Sequence, residues 1–217
     1  MRQILVYGDS LSWGIIPDTR ARLSFEQRWP GALEVALNGM GCACRIIENC
    51  LNGRRTVWDD PFKAGRNGAA TLSQVIESNA PLALVIIALG TNDFQSTHQN
   101  HAWASALGVG TLIDIIRAAP MEPGMPAPEV LVLAPPVIRE PQGAIASKFQ
   151  GAPQRCLGHI EAYRDASQAR AALLRYQFRH WGECGRWRTS RQGSACHAGE
   201  GADPSCEENL GWLTRRL

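Results

Sequence analysis

Residues 82–89 form an unbroken run of eight apolar side chains, Leu-Ala-Leu-Val-Ile-Ile-Ala-Leu, closed by Pro81 on one side and Gly90 on the other. A strand that is apolar at every position has no face to give to water, so it belongs in a parallel sheet covered by helices on both sides. The run is far too short to cross a bilayer, and no other window approaches the length a span needs.

The rest of the chain is punctuated to match. Residues 3–7 read as a short buried strand that ends at Gly8-Asp9-Ser10, and residues 27–39 place Trp29, Leu33, Val35 and Ala36 at helical spacing. Residues 45–49 read as a second strand. Residues 52–67, rich in Gly, Arg and Asp, read as a long functional loop. Helices are expected at 70–78 and, with amphipathic patterning, at 104–118. Four prolines between 120 and 128 mark a loop. Residues 130–134 form another strand, stopped by Pro135-Pro136, and residues 154–170 look helical. This alternation predicts an α/β architecture with a central parallel sheet flanked by helices. Ligands in such sheets sit beyond the carboxyl ends of the strands, and three of those ends are polar here: Asp9-Ser10, Asn52-Gly53 and Asn92-Asp93. With no internal repeat and no second-domain boundary, residues 1–217 read as one domain.

Composition narrows the function. The 22 basic and 20 acidic residues leave a net charge of +2, which gives nucleic acid no reason to bind. Twenty of those basic residues are arginine, a codon-usage signature. At 45% hydrophobic and 19% charged the chain is expected to be neither disordered nor membrane-embedded. No secretory leader is visible, and the seven cysteines are odd in number, which together predict free thiols in a reducing cytoplasm.

The polar strand ends carry the chemistry. A serine on the turn between a strand and a helix, such as Ser10, exposes its hydroxyl, and its own N–H faces developing negative charge. Asp9 would support that turn, although an Asp-Ser pair is also what an ordinary helix N-cap looks like. The Asn92 side-chain amide can donate to an oxyanion. Gly53 can present a backbone N–H to the same point with no side chain in the way. Taken singly, these could be an Asx-turn and a turn glycine; the combination is more specific. Gly8-Asp9-Ser10-Leu11-Ser12, Gly53 and Gly90-Thr91-Asn92-Asp93 resemble the blocks of the SGNH, or GDSL-type, serine hydrolases. Trp13-Gly14, residues 51–56, Asp59-Asp60-Pro61 and Ala134-Pro135-Pro136 resemble the arylesterase and acyltransferase branch of that family. The resemblance covers about residues 1–170. It implies a three-layer α/β/α flavodoxin-like fold, Ser10 as nucleophile, and an oxyanion hole made by the N–H groups of Ser10 and Gly53 with the Asn92 side chain. It implies a small ester as substrate, no metal, no organic cofactor and self-assembly into a homo-oligomer. Trp13, Trp58 and Asp93 are candidates for the substrate pocket. No Gly-x-Ser-x-Gly is present, against the α/β-hydrolase alternative.

One part is missing. The family supplies its acid and base from a late Asp-x-x-His, and none of the five histidines has Asp three residues earlier. His197 is the candidate by chain position, but its nearest aspartate is the distant Asp203. The tail is also anomalous in composition: all 23 Val and Ile residues lie at or before Ile160. Residues from about 170 onward read as a shifted frame. Codons that spell residues 186–192 yield Asp-Gly-Val-His-Leu-Asp one base later, which restores the missing motif, and the preceding stretch yields a fifth strand. Taken as written, the tail predicts a chain without the acid–base pair and without that strand, an inactive or ligand-binding relative. Cys184, Cys196, His197 and Cys206 lack the paired spacing of a zinc site. A carbohydrate acetyl esterase or a thioesterase is a further alternative within the enzyme reading.

Overall fold

The computed structural model describes residues 1–168 and 172–174; residues 169–171 and 175–217, including His180, His197 and nearly all of the anomalous tail, lie outside the described residues. Five strands, β1 (Arg2–Gly8), β2 (Cys44–Cys50), β3 (Leu84–Ala88), β4 (Glu129–Leu133) and β5 (Ala172–Leu174), form one sheet in the order β2-β1-β3-β4-β5, with every pairing parallel. The helices are α1 (Ser10–Trp13), α2 (Trp29–Gly39), α3 (Ala69–Asn79), α4 (Ala102–Ala118), α5 (Ala152–Arg155) and α6 (His159–Gln168).

Side-chain alternation along the strands builds the two hydrophobic layers. Leu5, Tyr7, Val85, Ile87, Val130 and Val132 face Leu72 and Ile76 of α3, Val109, Leu112, Ile113 and Ile116 of α4, and Tyr163 of α6. The residues between them, Ile4, Val6, Leu84, Ile86 and Leu131, join Ile46 of β2 and face Leu37 of α2, with Trp29 and Leu33 packed alongside. Each fully buried aliphatic side chain contributes about 1.5–3 kcal/mol, so the run at 82–89 is apolar throughout because both of its faces lie in a core. The chain reverses direction across the sheet between β1 and β3, which is where such folds place their ligands. Register aligns this crevice: Gly8 stands opposite both Cys50 and Ala88, so three strands end at one level.

Two expectations change. The helix expected over 154–170 is split into α5 and α6, with Gly158 at φ +73° in the turn between them. A fifth strand forms from the sequence as written, with Leu131 paired to Ala172. Pairing at a sheet edge is a backbone matter, so Ala-Leu-Leu suffices without Val or Ile. Among the described residues no helix is long and apolar enough to cross a membrane.

Candidate active site

The end of β1 is shaped by a close approach. A Cβ on Gly8 would lie 2.5 Å from Ser12 Oγ, so only glycine lets the chain turn there. Asp9 then caps α1, its Oδ1 accepting from Leu11 N–H at 2.9 Å. Ser10 follows as the first residue of α1 and is half-buried.

The β2 end is tied to the same point. Leu51 N–H donates to the Gly8 carbonyl at 3.0 Å. Gly53 has φ +84°, and the nearest atom to a Cβ placed on it is Arg66 Cγ at 3.9 Å. Glycine is therefore demanded here by the backbone, and no other described residue comes within 4 Å of that Cβ position. Arg54, beside it, donates to the Gly8 and Asn49 carbonyls and stacks its guanidinium 3.9 Å from the Tyr7 ring centre.

Asn92, on the turn after β3, joins the other two ends. Its Nδ2 donates to Asp9 Oδ2 and to the Arg54 carbonyl, each at 3.1 Å, and its Oδ1 accepts from Gln95 Nε2 at 2.8 Å. Asp9, the Gly53–Arg54 turn and Asn92 are thus brought together. Both amide hydrogens already point at protein oxygens, so an oxyanion would have to share one of them. Asp93, a pocket candidate from sequence, faces the other way. It is fully buried and accepts from Thr56 N–H, Thr56 Oγ1 and Ser105 Oγ at 2.9, 2.7 and 2.6 Å. Ser105 Oγ lies 2.7 Å from Tyr163 Oη. A carboxylate that is satisfied and closed off in this way braces the β3 turn from behind and lines no pocket.

Burial dominates the electrostatics. It pushes the Asp9 carboxyl up to about 7, with the Asp93 charge adding to the shift and the Leu11 N–H, Arg54 and Asn92 opposing it. Asp93 is raised for the same first reason, against its Ser105 and Thr56 hydrogen bonds and the Arg55 charge.

The remaining candidates sit around this centre. The Trp13 ring faces the Arg22 guanidinium at 5.0 Å, and Trp58 packs against His98 at 5.9 Å. His98 Nε2 lies 2.7 Å from the Asp59 carbonyl oxygen. His159 is buried between the carbonyls of Cys156 and Pro135, at 2.8 and 2.7 Å. His101 is exposed at the start of α4. It lines a surface cavity of about 530 Å³ with Trp103, Gln154, Arg155 and Leu157. None of the cavity's lining residues belongs to the turns that carry Ser10, Gly53 and Asn92. Among the described residues, no group of three or more His, Cys, Asp or Glu side chains is placed to hold a metal. Sequence reasoning gave no role to Arg55 and Gln95, which meet at 3.0 Å near Asn92; the signal for Arg55 was its place within residues 51–56, in a loop already marked as functional, and Gln95 carried none.

A serine on the β1 turn, a glycine with positive φ after β2 and an amide on the β3 turn are the groups that acyl chemistry uses. The structure is similar to a carbohydrate acetylesterase from Sinorhizobium meliloti, with 35% identity, coverage of 81% of this chain and 84% of that one, and a TM-score of 0.73. It is similar to the aryl esterase of M. smegmatis, with 31% identity, the same shares of the two chains and a TM-score of 0.74. An SGNH-hydrolase family esterase shares the fold at 19% identity, over 99% of this chain and 93% of that one, with a TM-score of 0.52. No protein-family model and no curated protein matches the chain. The chain belongs to the SGNH, or GDSL-type, serine hydrolases and is a carboxylic ester hydrolase of their arylesterase-like branch.

Proposed function

We propose that the enzyme hydrolyses small acyl or aryl esters through an acyl-enzyme on Ser10. The Ser10 Oγ attacks the ester carbonyl carbon and its proton passes to a histidine base. The carbonyl oxygen becomes an oxyanion facing the N–H groups of Ser10 and Gly53 and the Asn92 amide. Collapse breaks the bond to the leaving alcohol, which takes up the proton. Water then repeats the sequence on the acyl-enzyme and releases the acid. An alcohol taking the place of water gives acyl transfer. His197, outside the described residues, is the candidate base by chain position.

The observation that carries this reading is the Asn92 amide, which bridges the Asp9 carboxylate and the Arg54 carbonyl and so gathers three strand ends around one point. A fluorophosphonate tests it: Ser10 Oγ would bond to phosphorus with loss of fluoride and a proton. Peptide mass mapping is expected to place the adduct on Ser10. No adduct there overturns the reading. A second reading, deacetylation of a carbohydrate, is favoured by the acetylesterase from Sinorhizobium meliloti; an acetylated-sugar panel against p-nitrophenyl acetate separates the two.

A further inference from the structure

An asparagine amide serves an oxyanion only in one of its two orientations. Rotated by 180°, it presents Oδ1 to the developing negative charge and opposes the reaction. The two orientations have nearly the same shape, so packing cannot choose between them; only the polarity of the partners can.

Here the polarity is set from both ends. The Arg54 carbonyl can only accept, so the Asn92 atom 3.1 Å from it must be nitrogen. Arg55 can only donate, so the Gln95 atom 3.0 Å from its Nη2 must be Oε1. The other Gln95 atom is then Nε2, and it donates to Asn92 Oδ1 at 2.8 Å. Flipping Gln95 sets donor against donor at Arg55. Flipping Asn92 sets oxygen against oxygen at Arg54 and, at the same time, donor against donor at Gln95.

Two further observations fit a relay. Gln95 is held in place: the preceding Phe94 is buried, and its carbonyl accepts from Arg155 Nη2 at 2.6 Å. Arg55 is fully buried, yet among the described residues its Nε and Nη1 have no hydrogen-bond partner, and Asp60 approaches to 3.5 Å. Unpaired buried donors cost free energy that an apolar residue filling the same space would avoid. The cost is understandable if the guanidinium is there to fix Gln95.

We propose that Arg55 and Gln95 are positioning residues, a donor-only anchor and a relay, that lock the Asn92 amide with its N–H groups toward Asp9 and the Arg54 carbonyl, the orientation in which one of them can be shared with an oxyanion. The catalytic consequence rests on the function proposed above; the orientation itself does not. Gln95→Leu removes the relay's donor at similar size. Gln95→Glu keeps the contact with Arg55, as a charge pair, but turns an acceptor toward Asn92 Oδ1. A purely structural role expects the second variant to be as good as wild type or better.

The test is hydrogen exchange of the Asn92 side-chain amide protons by NMR, with the resonance assigned by its loss in Asn92→Ala. It is paired with kcat and KM on p-nitrophenyl acetate. In both Gln95 variants, protection should fall about threefold to tenfold, the equivalent of one net hydrogen bond. Gln95→Glu should regain protection relative to wild type as acid protonates the new carboxyl and makes it a donor. Turnover should fall in kcat roughly tenfold to a hundredfold, less than the loss of an oxyanion donor outright, with KM within about twofold as expected for an effect confined to the transition state. Unchanged Asn92 protection in both variants overturns the proposal. If wild type turns over no faster than Ser10→Ala, the functional reading fails, and the exchange result still decides whether the relay exists.

Discussion

Asn92 Nδ2 and Asp9 Oδ2 stand 3.1 Å apart, although 83 positions separate the two residues in the chain. The bond is buried and ties the turn after β3 to the turn that carries Ser10. Asn92→Ala removes the proposed oxyanion donor and leaves Asp9 Oδ2, the Arg54 carbonyl and Gln95 Nε2 without that partner. Steady-state kinetics should show kcat reduced about a hundredfold to a thousandfold. Chemical denaturation should show a loss of about 1–3 kcal/mol.

Asp9 makes stability depend on pH. Its carboxyl titrates near 7 in the folded chain, against an ordinary value of 3.8. Between those values the native state holds a proton that the unfolded chain has released, so stability falls as pH rises. The contribution is full below about pH 4 and gone above about pH 7. Asp9→Asn cannot ionise, so Tm of the variant minus Tm of wild type should increase from pH 4.5 to pH 7. A difference that does not change with pH would contradict the assignment.

Asp93 should behave as a brace. Asp93→Ala leaves Thr56 N–H, Thr56 Oγ1 and Ser105 Oγ short of an acceptor, a loss of roughly 3 kcal/mol or more in urea unfolding. Tyr163→Phe removes one hydroxyl from the edge of the same network and should cost about 1 kcal/mol. Tyr163→Phe should leave KM unchanged, because this network lies behind the site.

Gly90 is fixed twice over. Its φ is +129°, and a Cβ there would meet Tyr163 Oη at 1.9 Å. Gly90→Ala should destabilise by about 2–4 kcal/mol, and Tyr163→Phe in the same chain should recover part of that by removing the nearest atom. Gly39→Ala, at a position in α2 with no described residue within 4 Å, should stabilise by up to about 1 kcal/mol. Thermal unfolding of the set checks the order.

Much of this was legible in the sequence, for reasons that differ by element. The run at 82–89 announced a strand buried on both faces because hydrophobicity alone encodes double burial, and β3 lies within it at Leu84–Ala88. The Ser10, Gly53 and Asn92 turns were legible because polar residues and glycine stand where apolar strands stop. Asp93 was misplaced because a polar residue next to a site residue looks the same whether it faces ligand or core; only the Thr56 and Ser105 contacts separate the two. Gln95 was invisible because an amide's role depends on which partners its two ends meet. The division of 154–170 turned on Gly158, a helix breaker at φ +73° within a stretch read as one helix. The reading of the tail as a shifted frame concerns residues outside the described ones, and resequencing the gene tests it.

Turnover of p-nitrophenyl acetate by wild type and by Ser10→Ala, at equal concentration, tests the central claim most directly. Wild type should release nitrophenol well above the spontaneous rate, and Ser10→Ala should fall to background with its Tm retained. Equal rates in the two proteins would contradict a nucleophilic Ser10.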